Sequence, residues 1–323
     1  MEIRLLTSAD DLQAWGAFVK ASPQGSLWQS SEWKGYQEAL GRQTRIYGAF
    51  QGREMVASAL VVVDRTAGDL AVWEIPRGPI GEGAAQLAER VVDDARAGKA
   101  MVVKASPAHA LRLEGFSPSG GHTHPEATRI LSLTLGENDL LAQMKPKGRY
   151  NIRLAERHDI DVRDEPDVAA FHALMKRTGQ RDRFGIHPLS HYQAFVDAIP
   201  GAFLLLAYHV KTSVTEPIAG LLGVTWGTTG IYYYGASDER HRALMAPYLL
   251  QWKAIRRCAA AGCTHYDLLG VAPPDAGTDH AWSGITAFKE KFGGALVAYP
   301  PEQHTVLRPV PWTLLKLKRR ILG

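Results

Sequence analysis

Cysteine is nearly absent: Cys258 and Cys263 are the only two in 323 residues, with no further Cys or His beside them at metal-ligand spacing. A disulfide framework and a zinc site are therefore not expected, and the usage suits a reducing compartment. Long apolar runs are also missing. The longest, such as residues 57–63 and 202–207, fall far short of the ~20 residues that a spanning helix needs. The opening Met1-Glu2-Ile3-Arg4 lacks an n-region leading into an apolar core, so no signal peptide is expected and the chain is assigned to the cytoplasm. Neither sign of charge dominates. With 37 Lys and Arg against 33 Asp and Glu the formal charge is +4, compatible with an anionic partner without requiring one. At 46% hydrophobic and 22% charged residues, disordered and fibrous classes are excluded.

The length exceeds one ordinary core and suits two domains of roughly 150 residues each. One layout occurs twice. In the first half, residues 44–50 and 55–63 read as strands around a Gln51-Gly52 turn. A strand at 70–75 then runs into Pro76-Arg77-Gly78-Pro79, followed by a helix at 84–97 closed by Gly98 and a buried strand at 100–104. In the second half, strands at 203–209 and 218–226 flank a turn at 211–216. An aromatic strand at 230–234 follows, then a helix at 248–261 closed by Gly262 and a strand at 265–269. Helices open each half: 8–21, capped by Thr7 or Ser8, before the first, and stretches within 138–158 (interrupted at Pro146 and Gly148) and 167–178 before the second. The fold class is α/β in the α+β sense, with mixed sheets: two tandem GNAT-like acyltransferase domains and no coiled-coil insertion. The expected division is 1–145, joined by the carboxyl-terminal segment 300–323, and 146–299. Such a fold analogy does not fix a function.

A GNAT enzyme that uses acetyl-CoA cradles the pyrophosphate on a glycine-rich loop at a helix N-terminus, where backbone N–H groups approach closely. The corresponding segment here is Arg242-Ala243-Leu244-Met245-Ala246-Pro247. Met245 and Pro247 occupy the two glycine positions, and Pro247 removes an N–H outright. The first half offers only Gly81 and Gly83 around the acidic Glu82. CoA is not the expected donor for either half, and no metal is expected.

The residues around this defect are informative. In chain order they include Gln29-Ser30-Ser31-Glu32-Trp33, Pro76-Arg77-Gly78-Pro79 and the run Met144-Lys145-Pro146-Lys147-Gly148-Arg149-Tyr150-Asn151-Ile152-Arg153. Tyr234-Gly235-Ala236-Ser237, Ala246-Pro247-Tyr248-Leu249-Leu250-Gln251-Trp252, Tyr266-Asp267-Leu268-Leu269-Gly270 and Phe288-Lys289-Glu290-Lys291-Phe292-Gly293-Gly294 follow. Each run is weakly specific alone. As an ordered set spanning about residues 26 to 299, they resemble the FemAB family. The resemblance implies a non-ribosomal peptidyltransferase that takes an amino acid from aminoacyl-tRNA. The acceptor would be the stem-peptide amine of a UDP- or lipid-linked muropeptide, with no CoA and no metal. It suits a compact monomer working near the inner membrane face.

Within that resemblance, Lys289 is the foremost catalytic candidate, as a fixed cation beside the tetrahedral oxyanion of acyl transfer; the plain alternative is a solvated lysine. Glu82 and Asp267 are candidate bases for the attacking amine, or else a cap and an ion-pair partner. Tyr234, at the end of an aromatic strand, stands where such folds admit substrate. Lys34 and Arg77 suit a diphosphate, and Lys291 is a weaker phosphate candidate. His187 and His191 take positions where compact relatives offer an Arg and a Tyr. Lys145, Arg149, Arg153 and Arg157 recur every four residues, as a tRNA-facing stripe or as a solvated face. The segment Pro309–Gly323 reads as a helix packed on the first domain, or as a basic amphipathic element on an anionic membrane. Two rival functions stand beside the main reading: a GNAT- or FemAB-type N-acyltransferase serving polysaccharide or lipid modification, and a non-catalytic binding module.

Overall fold

A computed structural model of the chain describes residues 1–66, 70–210 and 216–322, with side chains in the last helix described through Lys318. The expected turn at 211–216 lies, except for Glu216, outside the described residues. The chain folds as two units, one of residues 1–124 with 299–323 and the other of residues 125–298.

The first unit opens with β1 (Glu2–Leu6) and α1 (Ala9–Ala21), whose cap Ser8 accepts from the Asp11 N–H, and α2 (Ser31–Ala39), whose cap Ser30 accepts from the Trp33 N–H. It continues with β2 (Gln43–Gln51), β3 (Glu54–Arg65), β4 (Ala71–Pro76), β5 (Ile80–Gly81), α3 (Ala84–Ala97), β6 (Ala100–Ser106) and β7 (Ser117–Pro118). The second unit contains β8 (Ala127–Ser132), α4 (Glu137–Ala142), α5 (Pro146–Arg157), β9 (Ile160–Asp164), α6 (Val168–Asp182) and α7 (Leu189–Ala198). Then come β10 (Ala202–His209), β11 (Ala219–Trp226), β12 (Thr229–Ser237), α8 (Ala246–Ala260), β13 (His265–Asp267), α9 (Ser283–Lys289) and β14 (Ala295–Ala298). The chain returns to the first unit as β15 (Gln303–Val306) and α10 (Pro309–Leu322).

The two sheets share a plan. The first runs β1-β2-β3-β4-β6-β15-β7 with β5 paired on β3, and the second, read from its other edge, β9-β10-β11-β12-β13-β8-β14. In each, one pair is parallel, β4 with β6 and β12 with β13, because a helix crosses over between them; the other pairings are antiparallel. The crossover helices follow from their patterning. In α3, Ala84, Leu87, Ala88, Val91, Val92 and Ala95 are buried at helical spacing against Tyr47, Val61, Trp73 and Val103 of the sheet. In α8, Leu249, Leu250, Trp252, Ile255 and Cys258 do the same in the second core.

Two expectations are corrected. The division at 145/146 falls too late: β8 pairs with β13 and β14, so residues 125–145 belong to the second unit. The helical stretch within 138–158 is interrupted just before Pro146, between α4 and α5, but not at Gly148. Pro146 begins α5, at a position whose missing N–H has no intrahelical partner to lose. Gly148 is inside the helix because a β-carbon there would stand 2.4 Å from the Lys291 carbonyl oxygen.

Candidate functional site

The second unit builds its site around the end of β13. Asp267, 5% exposed, accepts at Oδ1 from the Thr128 hydroxyl on β8 and from the Leu269 N–H at 2.7 Å. That carboxylate-closed turn holds Leu269 at φ 53°, a left-handed conformation costly for a branched residue, and turns the Leu269 and Gly270 carbonyls toward α9. Lys289 reaches them: its Nζ donates to Leu269 O at 2.9 Å and to Gly270 O at 2.7 Å. It also lies 5.3 Å from the centroid of the Tyr232 ring.

Lys289 is 6% exposed, so it is not a solvated lysine. Burial pulls its ammonium down from the usual 10.5 to about 7, against the opposing pull of the Asp267 charge. The flanking residues of its motif are structural. Phe288 and Phe292 pack on each other at 5.2 Å and on Tyr248 of α8 at 5.0 and 5.7 Å. This aromatic trio fixes the end of α9 and with it the stem of Lys289. An amine fixed on two carbonyls, with a value near neutrality, can offer a third N–H to developing negative charge or exchange a proton there.

The three consecutive tyrosines of β12 are separated by a bulge. Leu222 faces Tyr234 while Gly223 faces Tyr232, leaving Tyr233 as the extra residue. Tyr232 consequently packs in the core by Lys289, and burial raises its phenol to about 12. Its hydroxyl occupies the space a β-carbon at residue 235 would need, which only glycine leaves open. Tyr233 and Tyr234 both turn to Phe195 of α7, at 4.7 and 6.1 Å. His187 and His191 join Tyr234 there: the imidazoles stack at 3.7 Å and 16°, and His191 Nε2 hydrogen-bonds the Tyr234 hydroxyl at 3.0 Å. The three residues singled out from the sequence thus form one cluster.

The basic stripe divides. Lys145 sits at the N-cap position of α5 and pairs with Glu290 at 2.7 Å, while its N–H donates to Lys291 O. Arg149 donates from Nη1 to Leu141, Ala142 and Met144 carbonyls at the end of α4, a capping task. Arg153 and Arg157 are exposed, as is the paired Lys145. Lys291 lies half-buried, 5.7 Å from the Tyr248 ring.

The segment Arg242–Pro247 offers little to a diphosphate. Met245 takes φ 56° before α8, the Met245 N–H is bonded to Arg242 O, and the Tyr248 N–H to Met245 O. A small hollow of about 100 Å³ beside it is lined by Ser237, Asp238, His241, Arg242 and Phe288. Asp238 stays anionic: the hydrogen-bonded Arg240 side chain holds its carboxyl at about 2. The segment thus has two N–H groups already bonded, a proline without one, and a carboxylate beside it.

The first unit holds Glu82, Lys34 and Arg77. Glu82 is exposed in the turn before α3. Lys34 is paired with Glu38 at 2.7 Å. Arg77 is 3% exposed, its guanidinium 3.7 Å from the Tyr299 ring centroid. The Gln29 side chain accepts from Leu60 N–H and donates to Pro76 O, so its run and Pro76-Arg77-Gly78-Pro79 meet in space.

A cleft of about 220 Å³ in this unit is lined by Trp33, Gln37, Arg42, Asp64, Glu74, Lys104, Thr123 and His124, and by neither Lys34 nor Arg77. Within it His124 Nε2 lies 2.8 Å from Glu74, and Lys104 3.0 Å from Glu302. Sequence reasoning missed this cleft, because its residues come from α2, β3, β4, β6 and the loop at 123–124, each unremarkable in its own segment.

Comparison with known proteins follows this geometry. The sequence profile of the FemAB family matches residues 12–131, 109–210 and 206–318. A lipid II:glycine glycyltransferase of Staphylococcus saprophyticus is 23% identical, over 87% of this chain and 88% of that protein. Its Staphylococcus aureus counterpart is 22% identical with the same coverage. Among solved structures, FemX superposes with a TM-score of 0.81 at 20% identity, covering 97% of this chain and 99% of its own. A tandem GNAT protein from the clavulanic acid pathway gives 0.60 at 13% identity, covering 95% and 99%. These likenesses place the fold among tandem GNAT-like proteins.

Proposed function

The chain belongs to the FemAB family, and from that membership we propose that it is an aminoacyltransferase acting on a peptidoglycan precursor. In this reading an aminoacyl-tRNA is the donor, and the stem-peptide amine of a UDP- or lipid-linked muropeptide is the acceptor. The relatives named as lipid II:glycine glycyltransferases favour a precursor of this class. The single observation that carries the proposal is Lys289, buried and held on the Leu269 and Gly270 carbonyls with its ammonium at about 7.

The amine nitrogen attacks the ester carbonyl carbon, the carbonyl oxygen becomes an oxyanion, and protonated Lys289 stabilises that charge. Collapse breaks the ester bond, the proton that the amine nitrogen gives up passes to the departing ribose oxygen, and the new amide remains on the stem peptide. Asp267 is a positioning residue here: it closes the turn that presents both carbonyls, and its charge favours the protonated lysine. Glu82 keeps its assignment as a base, while Tyr234, with His187 and His191, is assigned to substrate, as are Lys34, Arg77 and Lys291. CoA and metal have no part in this reading, and the protein works as a cytoplasmic monomer.

The test is single-turnover transfer from labelled aminoacyl-tRNA to a UDP-linked muropeptide. Formation of the amide product supports the proposal; no product with any aminoacyl-tRNA, on either UDP- or lipid-linked acceptor, overturns it.

A further inference from the structure

α10 has two faces. Trp312 and Leu315 pack inward on Val72, Met101 and Val102 of the first sheet. Val310, Leu314 and Leu317 point the other way, 71%, 62% and 54% exposed. Their spacing of four and three residues places them on one stripe of the helix, away from Trp312. Three large apolar side chains in a row are a costly surface for a helix already anchored by its other face.

Charge selects the occupant. Lys316 and Lys318 are exposed and fall on opposite sides of the stripe at ~100° per residue, Lys318 beside it and Lys316 further round, its Nζ 5.8 Å from the Trp312 ring. Beyond Glu302 the sequence has Arg308, Lys316, Lys318, Arg319 and Arg320 and no Asp or Glu. A second copy of this face would bring like charges together. An anionic bilayer takes the leucines into its headgroup–acyl boundary while the cations meet its phosphates.

We propose that the outward face of α10 is a membrane-surface anchor, seating the protein on anionic lipid through Val310, Leu314 and Leu317 with Lys316 and Lys318 at the rim. The anchor stands independently of the acyl-transfer reading, because it is argued from α10 alone.

The experiment is sedimentation of the full chain with vesicles of phosphatidylcholine alone, or of phosphatidylcholine mixed with phosphatidylglycerol. The variants are Leu314→Ser/Leu317→Ser and Lys316→Gln/Lys318→Gln; all four positions are exposed, and circular dichroism checks that the fold is retained. Binding to the anionic vesicles is expected, falling with added salt. The leucine pair should lower the partition coefficient at least tenfold, and the lysine pair about fivefold per cation. Transfer to a soluble UDP-linked precursor should be unchanged in both variants, which separates failure of the anchor from failure of the catalytic proposal. Equal binding to both vesicle types, no binding, or indifference to both variants overturns the anchor. So does a concentration-dependent dimer in light scattering that Leu314→Ser/Leu317→Ser abolishes, which would make the face a self-association surface.

Discussion

Replacing Lys289 by methionine separates catalysis from stability. The side chain keeps its volume and loses the ammonium. Holding that group in the folded protein with its value moved from 10.5 to about 7 costs at most ~5 kcal/mol at neutral pH. Methionine removes this cost but leaves the Leu269 and Gly270 carbonyls without their donor, at about 1–3 kcal/mol each. The two effects largely cancel, so stability at pH 7 should change by no more than ~3 kcal/mol. The rate should not be spared. Loss of one preorganised stabiliser of an oxyanion slows acyl transfer by about 100- to 1000-fold. Rapid-quench single turnovers should show that loss in the transfer step, with the affinity for precursor unaltered. Because the folded protein has the depressed value, the unfolded chain holds the extra proton between about pH 7 and 10.5. The wild type should therefore gain stability over the methionine variant as pH rises through that window. Transfer within a few-fold of wild type would refute the catalytic role, and a stability difference independent of pH would refute the buried ammonium.

Other outcomes follow from individual contacts. Gly148→Ala drives a β-carbon to 2.4 Å from Lys291 O and should cost about 1–3 kcal/mol in urea unfolding, by pushing α5 off the Lys289 segment. Asp238→Asn should be less stable than wild type by about 1–2 kcal/mol at pH 6, since the Arg240 side chain holds this carboxyl at about 2. The deficit should shrink as pH falls from about 4 through about 2, where the wild-type carboxylate takes up its proton. Arg153→Ala/Arg157→Ala should flatten the dependence of log K for tRNA on log salt by about 1–2 in slope. Arg149→Ala should instead destabilise the end of α4 in a thermal melt, because its guanidinium serves the carbonyls there.

Much of the fold was legible in local pattern. α3 and α8 carry apolar residues at helical spacing, and the β2–β3 hairpin announces itself through Gln51-Gly52. Strands β8, β14 and β15 were not legible. They are four to six residues long and paired with strands distant in sequence, so no local period marks them. Missing β8 moved the expected division by about twenty residues. In the candidate site, Lys289 was visible through its ordered neighbours, whereas its burial depends on a turn closed by Asp267. That Tyr232 rather than Tyr233 packs beside Lys289 depends on the bulge between Leu222 and Gly223, which simple alternation does not foresee. Arg149 read as one cation of four, and only tertiary structure shows it occupied as a cap.

The donor decides the central claim. Purified protein given labelled aminoacyl-tRNA and a UDP-linked muropeptide should form an amide-linked aminoacyl muropeptide, and prior hydrolysis of the aminoacyl ester should abolish the product. Labelled acetyl-CoA offered in its place should yield nothing, since the Met245 and Tyr248 N–H groups are already bonded and Pro247 has none. Acetyl transfer to the muropeptide amine, with no aminoacyl transfer under the same conditions, would contradict the account.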